Sequence, residues 1–267
     1  MPTKIDDKTF EDFGLREVVG HRNPSTPEFT QRIVAIPGMN GVWGFGHQIG
    51  TRTFEIPLKH LYNDMYKRQR FLNELVAFFF NEYGQPKEFK LIFDYEPDKY
   101  YLVKVSGAIN PDRLLLSNSF SLSLVANKPN KHFLIDADEI RMGSHIPILS
   151  HVSSKGRHSF KVTNNQTILV INDGTKALKP SISISGSATS LTIKNTNNNH
   201  SFSMSNILSE KPVIIEGTKY LVTEGGVDAL SKLVGRFIEL IPGENYITIT
   251  GVDVNISINF KYKFQYM

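Results

Sequence analysis

Ser181-Ile182-Ser183-Ile184-Ser185, followed four residues later by Ser190-Leu191-Thr192-Ile193-Lys194, alternates polar and apolar side chains at every step. Successive side chains of a strand point to opposite faces, so a period of two predicts strands with one buried and one solvated face. The pattern returns at Ser201–Ser205 (SFSMS), Asn245–Thr250 (NYITIT) and Val252–Phe264, with Gly, Asn and Pro in between. Short alternating strands separated by turn residues indicate an antiparallel β-sandwich. Serine, threonine and asparagine at the outward positions suit a sheet face in water. Val252–Phe264 either stays in this sandwich or returns to the first half of the chain; the sequence leaves both open.

Working towards the N-terminus, the composition shifts at Asn127-Lys128-Pro129-Asn130, and residues 136–158 are polar with scattered apolar positions. This places a domain boundary at 144/145, giving domains 1–144 and 145–267. The first domain reads as strands around one strong helix. Strands are expected at Gln31–Ile36, Arg52–Leu58, Phe89–Asp94, Tyr100–Ser106 and Phe120–Val125. In Arg52–Leu58, Phe54 and Ile56 face one way and Thr53 and Glu55 the other. The helix is expected over 64–83, capped by Asn63 or Asp64 and stopped by Gly84. Met65, Leu72, Leu75, Val76 and Phe79 fall near helical spacing, with Lys67, Arg68, Arg70, Asn73 and Glu74 mostly elsewhere on the wheel. The run Phe78–Phe80 covers too wide an arc for one buried face, so at least one ring meets a second surface. The fold class is mainly β with one helix: an N-terminal α+β domain (a β-sandwich plus helix) and a C-terminal antiparallel β-sandwich.

Bulk properties and missing motifs narrow the function. The chain has 267 residues, 40% hydrophobic and 21% charged, and no cysteine, which removes disulfides, thiolate metal sites and cysteine nucleophiles. The net charge is +4; residues 1–143 carry 18 basic and 18 acidic side chains and the rest 12 and 8, spread singly. That is not the stripe of a nucleic-acid binder. No apolar run approaches the ~18 residues of a membrane span, and the N-terminus has no secretory pattern. Synthesis in a cytoplasm and no membrane anchor are expected. The stretch Gly38–Gly50 has no Gly-Lys-Ser/Thr, and the spacing of Gly44, Gly46 and Gly50 is wrong for a dinucleotide loop, so it reads as a hairpin or tight-turn loop. His145, His151 and His158 match no short metal motif. Asp94, Glu96 and Asp98 surround Pro97, as turn residues do. No Gly-x-Ser-x-Gly elbow is present. The chain is therefore read as not an enzyme, with no cofactor and no metal. A sugar-binding module is the alternative, but the one tryptophan, Trp43, lies in the first domain. Phe160, Phe202, Tyr220, Phe237 and Tyr246 sit in strands and are expected to fill the second core.

Several segments, in order, resemble the distal tail protein family of long-tailed phages. Ile36-Pro37-Gly38-Met39-Asn40-Gly41 is similar to that family's valine-proline-glycine-arginine-aspartate-glycine, with Met39-Asn40 in place of the charged pair. The Arg52–Leu58 strand, the single helix, Leu91-Ile92-Phe93-Asp94-Tyr95-Glu96-Pro97-Asp98-Lys99-Tyr100-Tyr101 and Phe120–Ala126 follow. In the second half, Lys179–Gly186 and Phe237–Ile247 resemble the family's galectin-like sandwich. The resemblance implies a structural virion protein at the tail tip. It would form a hexameric ring whose first domains surround a channel for DNA, which passes without specific binding. The implied partners are copies of itself, the tail-tube protein, the tail-associated hub or lysin protein, and receptor-binding or baseplate proteins.

Large aromatics dominate interface energetics. Trp43, Phe45 and His47 in the glycine-rich stretch, with Phe78 and Phe80 on the helix, are therefore the candidate contact residues. For Trp43 the other reading is that it folds back onto its own sheet.

Overall fold

The computed structural model describes residues 2–111, 119–140, 157–208 and 211–267. Contacts divide the chain into two units, residues 1–131 with Met267, and residues 132–266. The boundary expected at 144/145 lies outside the described residues, and the division falls earlier. Phe133 and Ala137, expected in the first domain, are buried in the second core. Phe133 N–H donates to the Phe264 carbonyl and Ala137 N–H to the Tyr262 carbonyl, each at 2.9 Å.

In the first unit, antiparallel neighbours run in the order Lys8–Thr9, Lys4–Ile5, Phe89–Ile92, Lys99–Val105, Ser119–Ala126, Arg52–His60 and Leu15–Glu17. The alternation read in Arg52–His60 holds: Phe54, Ile56 and Leu58 are fully buried, while Thr53, Glu55 and Lys59 face out. The inward ends of this strand are polar. Arg52 is buried and donates to the Tyr101 hydroxyl at 2.6 Å. Burial pushes that hydroxyl up to about 12, so it stays neutral beside the guanidinium. His60, at the other end, is held below its ordinary 6.5 by burial and then by the charge of Arg68.

A histidine buried neutral charges more readily once the chain unfolds. The stability it contributes is complete above about pH 6.5 and is lost as pH falls through that value towards the lower folded one. Melting temperature should therefore fall between pH 7.5 and 5, less steeply in His60→Phe; identical slopes would remove His60 from the account.

Among the described residues the one α-helix is Met65–Phe79. Asp64 caps it, accepting from Tyr66 N–H at 2.8 Å and Lys67 N–H at 3.4 Å. Asp64→Ala should cost about 1 kcal/mol in chemical unfolding; no change would show that the first turn needs no cap.

Two expectations for this helix need correction. Its buried stripe is Arg68, Leu72, Leu75 and Phe79, while Met65 and Val76 are exposed. Arg68 takes an inward place because its stem packs like an apolar chain and its Nε donates to the Tyr62 carbonyl at 2.6 Å. The helix also ends at Phe79, not at 83. Phe80 is extended, and Asn81 organises a turn by accepting from Tyr83 and Gln85 N–H through its side chain. Gly84 closes that turn, donating to the Asn81 carbonyl at 2.9 Å.

The second unit is the expected sandwich. One sheet orders Ser159–Val162, Asn255–Lys261, Ser181–Asn195, Val213–Glu216, Leu221–Glu224 and Val227–Asp228. The other contains Gln166–Asn172, Gly243–Val252, the same Ser181–Asn195, Ser201–Ile207 and Val234–Gly235. Ser181–Ser185 and Ser190–Lys194 are thus parts of one strand. Residues 181–187 pair with 255–261, and residues 190–195 pair with 247–252. Gly186 lies at the crossover with φ +113, where a Cβ would sit 2.2 Å from the Asn255 carbonyl oxygen. Of the stretch Val252–Phe264, the strand Asn255–Lys261 stays in this sandwich. Three fully buried asparagines, Asn172, Asn195 and Asn245, hold the loops. Asn172 and Asn195 donate to the carbonyls of Leu240 and Glu239, and Asn245 bonds both polar groups of Ile241.

Candidate protein interface

Residues 29–49 form a third, two-stranded sheet in the first unit. Phe29–Val34 pairs with Trp43–Ile49. The glycine-rich stretch, read as a hairpin or a tight-turn loop, thus supplies one strand of a hairpin, because its aromatic and β-branched positions find cross-strand partners despite the glycines. At its base, Gly50 N–H donates to the Glu28 carbonyl at 2.8 Å and Glu28 N–H to that of Thr51 at 3.1 Å, joining the hairpin to the core strand at Arg52.

The register jumps from Gln31↔His47 to Ile33↔Gly44. Phe45 and Gly46 thus stand opposite the single residue Arg32, which is a β-bulge, and Gly46 takes the φ of +91 it requires. The bulge shifts the alternation. Trp43, Phe45 and Val34 share a face with Arg32 and Gln48, whose side chains bond at 3.2 Å. His47, Gln31, Phe29 and Ile33 belong to the opposite face, where an open groove of about 570 Å³ runs over Gly44 and Gly46. Phe29 and His47 meet edge to face there, 5.9 Å between centroids.

Every residue of both strands is exposed. Trp43 is 55% and Phe45 65% exposed, so Trp43 does not fold back onto the core. Ile33, Val34, Ile36 and Val42 are also about half exposed. A lone two-stranded ribbon is at best marginal in water, and contiguous apolar surface of this kind marks an interaction site. Here both faces carry exposed apolar side chains.

The other two candidates have different surroundings. Phe78 is half-buried against the core, 5.4 Å from Phe13 and 5.6 Å from Phe79, with the ammonium groups of Lys8 and Lys87 over its ring. The second surface it meets is the short turn Phe10–Phe13 of its own unit. Phe80 is half-buried at the same rim.

Of the residues weighed for chemistry, the acidic turn is engaged by lysines. Glu96 meets Lys131 at 2.8 Å and Lys99 at 3.3 Å, and Asp98 meets Lys99 at 3.5 Å. Burial pulls the Glu96 carboxyl up, but the two ammonium groups outweigh it and hold it below the usual range. His145 and His151 lie outside the described residues. His158 packs edge-on against Tyr262, and burial lowers it. Among the described residues no three His, Asp or Glu side chains gather as a metal site, and no helix is long and apolar enough to cross a membrane. In the second unit Phe202 is buried and Phe160 and Phe237 pack at the core's edge. Tyr220 and Tyr246, expected inside, are 55% and 44% exposed.

Residues 8–126 match the family of the phage tail protein RIFT-related domain. No curated protein matches the sequence. Among solved structures, the chain is similar to the Dit protein of phage SPP1, described as a paradigm of the hub adsorption apparatus in phages infecting Gram-positive bacteria. The identity is 16%, the TM-score 0.70, and the match covers 98% of each chain. A looser likeness, at 9% identity and TM-score 0.42, is to the phage p2 baseplate in its activated conformation with Sr, covering 93% of this chain and 90% of that one. The chain thus shares the fold of that Dit protein over 98% of its length, mainly β with one α-helix among the described residues. The resemblance read from the ordered segments is met in the domain family and in the fold.

Proposed function

We propose that this chain, whose residues 8–126 match the phage tail protein RIFT-related domain, is the structural hub at the distal end of a long non-contractile phage tail. It assembles with copies of itself as a hexameric ring, joins the tail tube above to the tail-associated hub protein below, and offers its flank to receptor-binding or baseplate proteins. DNA passes through the ring without specific contacts. The chain is made in the host cytoplasm and works in the virion.

The hairpin carries this reading. A ribbon with exposed apolar side chains on both faces is stabilised when each face is covered, and a subunit in a closed ring has a neighbour on each side. Trp43 and Phe45 anchor one face; His47, with Phe29 and Ile33, lines the other. Phe78 and Phe80 add a smaller contact where the helix ends. The work is holding geometry, in keeping with acidic side chains that are tied to lysines.

Labelling the chain in intact virions tests its place. An antibody to the second unit should decorate the tail tip in electron micrographs. Decoration of the capsid, or of no part of the particle, would overturn the assignment.

A further inference from the structure

A concave pocket of about 360 Å³ opens at one end of the second unit's first sheet. Four lysines line it, Lys179, Lys219, Lys261 and Lys263, against two carboxylates, Asp136 and Glu216. Asp136 lies 3.5 Å from Lys261 and 3.3 Å from Lys263, and Glu216 lies 2.6 Å from Lys219. Asp138 and Glu139 act on Lys261 from outside the lining and, with Asp136, keep its ammonium charged. The lining itself thus carries four ammonium groups and two carboxylates, with two more carboxylates beyond it. The hydroxyls of Ser181 and Thr218 add neutral donors, and no arginine takes part.

The fourth lysine is held in place at a cost to the backbone. Between Val213–Glu216 and Leu221–Glu224 the chain turns through Gly217, Thr218, Lys219 and Tyr220, with Lys219 N–H donating to the Glu216 carbonyl at 3.1 Å. The last residue of this turn is left-handed, with Tyr220 at φ +54. Glycine or asparagine suits that position, and a tyrosine there is strained. The side chain that causes the strain braces Lys179. Its hydroxyl accepts from Lys179 Nζ, and the ammonium lies over its ring at 4.4 Å from the centroid. Phe237 backs the ring edge to face at 5.3 Å. A strained residue whose side chain fixes one charge of a concave site is an observation independent of the lysine count.

We propose that this pocket binds a phosphate group, either free or repeated along a bacterial surface polymer. Compact ammonium groups bind phosphate as point charges. Four ammonium groups around one concavity can donate to the oxygens of one phosphate, or of neighbouring phosphodiesters of a polymer. The site is independent of the hairpin and of the proposed ring.

The full chain would be titrated calorimetrically with inorganic phosphate, with poly(glycerol phosphate), and with a neutral glycan as control. Binding of both phosphate ligands would show that the group suffices. Binding of the polymer alone would show that repeated groups are needed. Equal binding of the neutral glycan, or no binding of either phosphate ligand, would overturn the proposal. Lys219→Ala with Lys261→Ala should weaken binding about tenfold or more. Their ion pairs are exposed, so folding should hardly change. Tyr220→Gly relieves the backbone yet removes the brace. It should leave the melting temperature unchanged or higher while weakening binding. Lys161→Ala with Lys194→Ala removes equal charge outside the pocket and should bind like the parent. If that control loses as much affinity as the pocket variant, the binding is nonspecific and the proposal fails.

Discussion

Replacing Trp43 and Phe45 together by serine is expected to abolish self-assembly while leaving the fold intact. Both rings stand on one face of a hairpin that contributes no buried residue to its unit's core. Their loss should not lower the melting temperature. A buried interface aromatic is commonly worth 2 kcal/mol or more, so the pair should weaken association by about 4 kcal/mol, roughly a thousandfold. Sedimentation of the chain alone and mixed with its tube protein, beside a thermal melt, separates the two effects. A double variant that assembles like the parent would show that this face is not the contact. One that melts well below the parent would show that the rings support the fold instead. His47 lies across the bulge, and its replacement should act on the opposite face, so combining it with Trp43→Ser should give additive losses.

Gly186→Ala should destabilise the second unit by about 3 kcal/mol or more. At φ +113 an alanine is strained before any contact is considered. Its Cβ would also lie 2.2 Å from the Asn255 oxygen and 2.8 Å from the Ile256 Cα, both backbone atoms of a paired strand. Side chains can turn aside; a paired backbone can yield only by giving up its ladder. This is the point where Ser181–Asn195 passes from one sheet to the other, so relief there would uncouple the two layers. Urea unfolding followed in the second unit should show a lower midpoint, with the first unit's transition unmoved. An unchanged midpoint would mean that the crossover does not depend on glycine.

Much of this architecture is legible in alternation. Phe54, Ile56 and Leu58, like Ile182, Ile184, Leu191 and Ile193, are buried where a period of two puts them. The fusion of the two stretches into one strand was not legible, because Gly186–Thr189 carries no alternating pattern and its pairing is set by strands far along the chain. Arg68 is grouped with the polar positions of the wheel, and only the nearby Tyr62 carbonyl shows why it turns in. The candidate contact was half legible. Trp43 and Phe45 stand out by residue type, but the glycines around them hid the strand, and a one-residue bulge that moves His47 to the other face leaves no trace in spacing. Of the three rings Phe78–Phe80, of which at least one is expected to meet a loop or another subunit, Phe78 packs against Phe13 in the short turn of its own unit. Tyr220 gave no signal, since a left-handed tyrosine looks like any other strand-end aromatic until its φ is known.

Sedimentation velocity of the full chain across a micromolar concentration series, with electron micrographs of the same samples, tests the central claim most directly. Self-association through the hairpin predicts a species of six times the 30.2 kDa chain mass, seen as rings, that disappears when Trp43 and Phe45 are replaced. A single 30.2 kDa species at every concentration, with no rings even when tube protein is added, would contradict it.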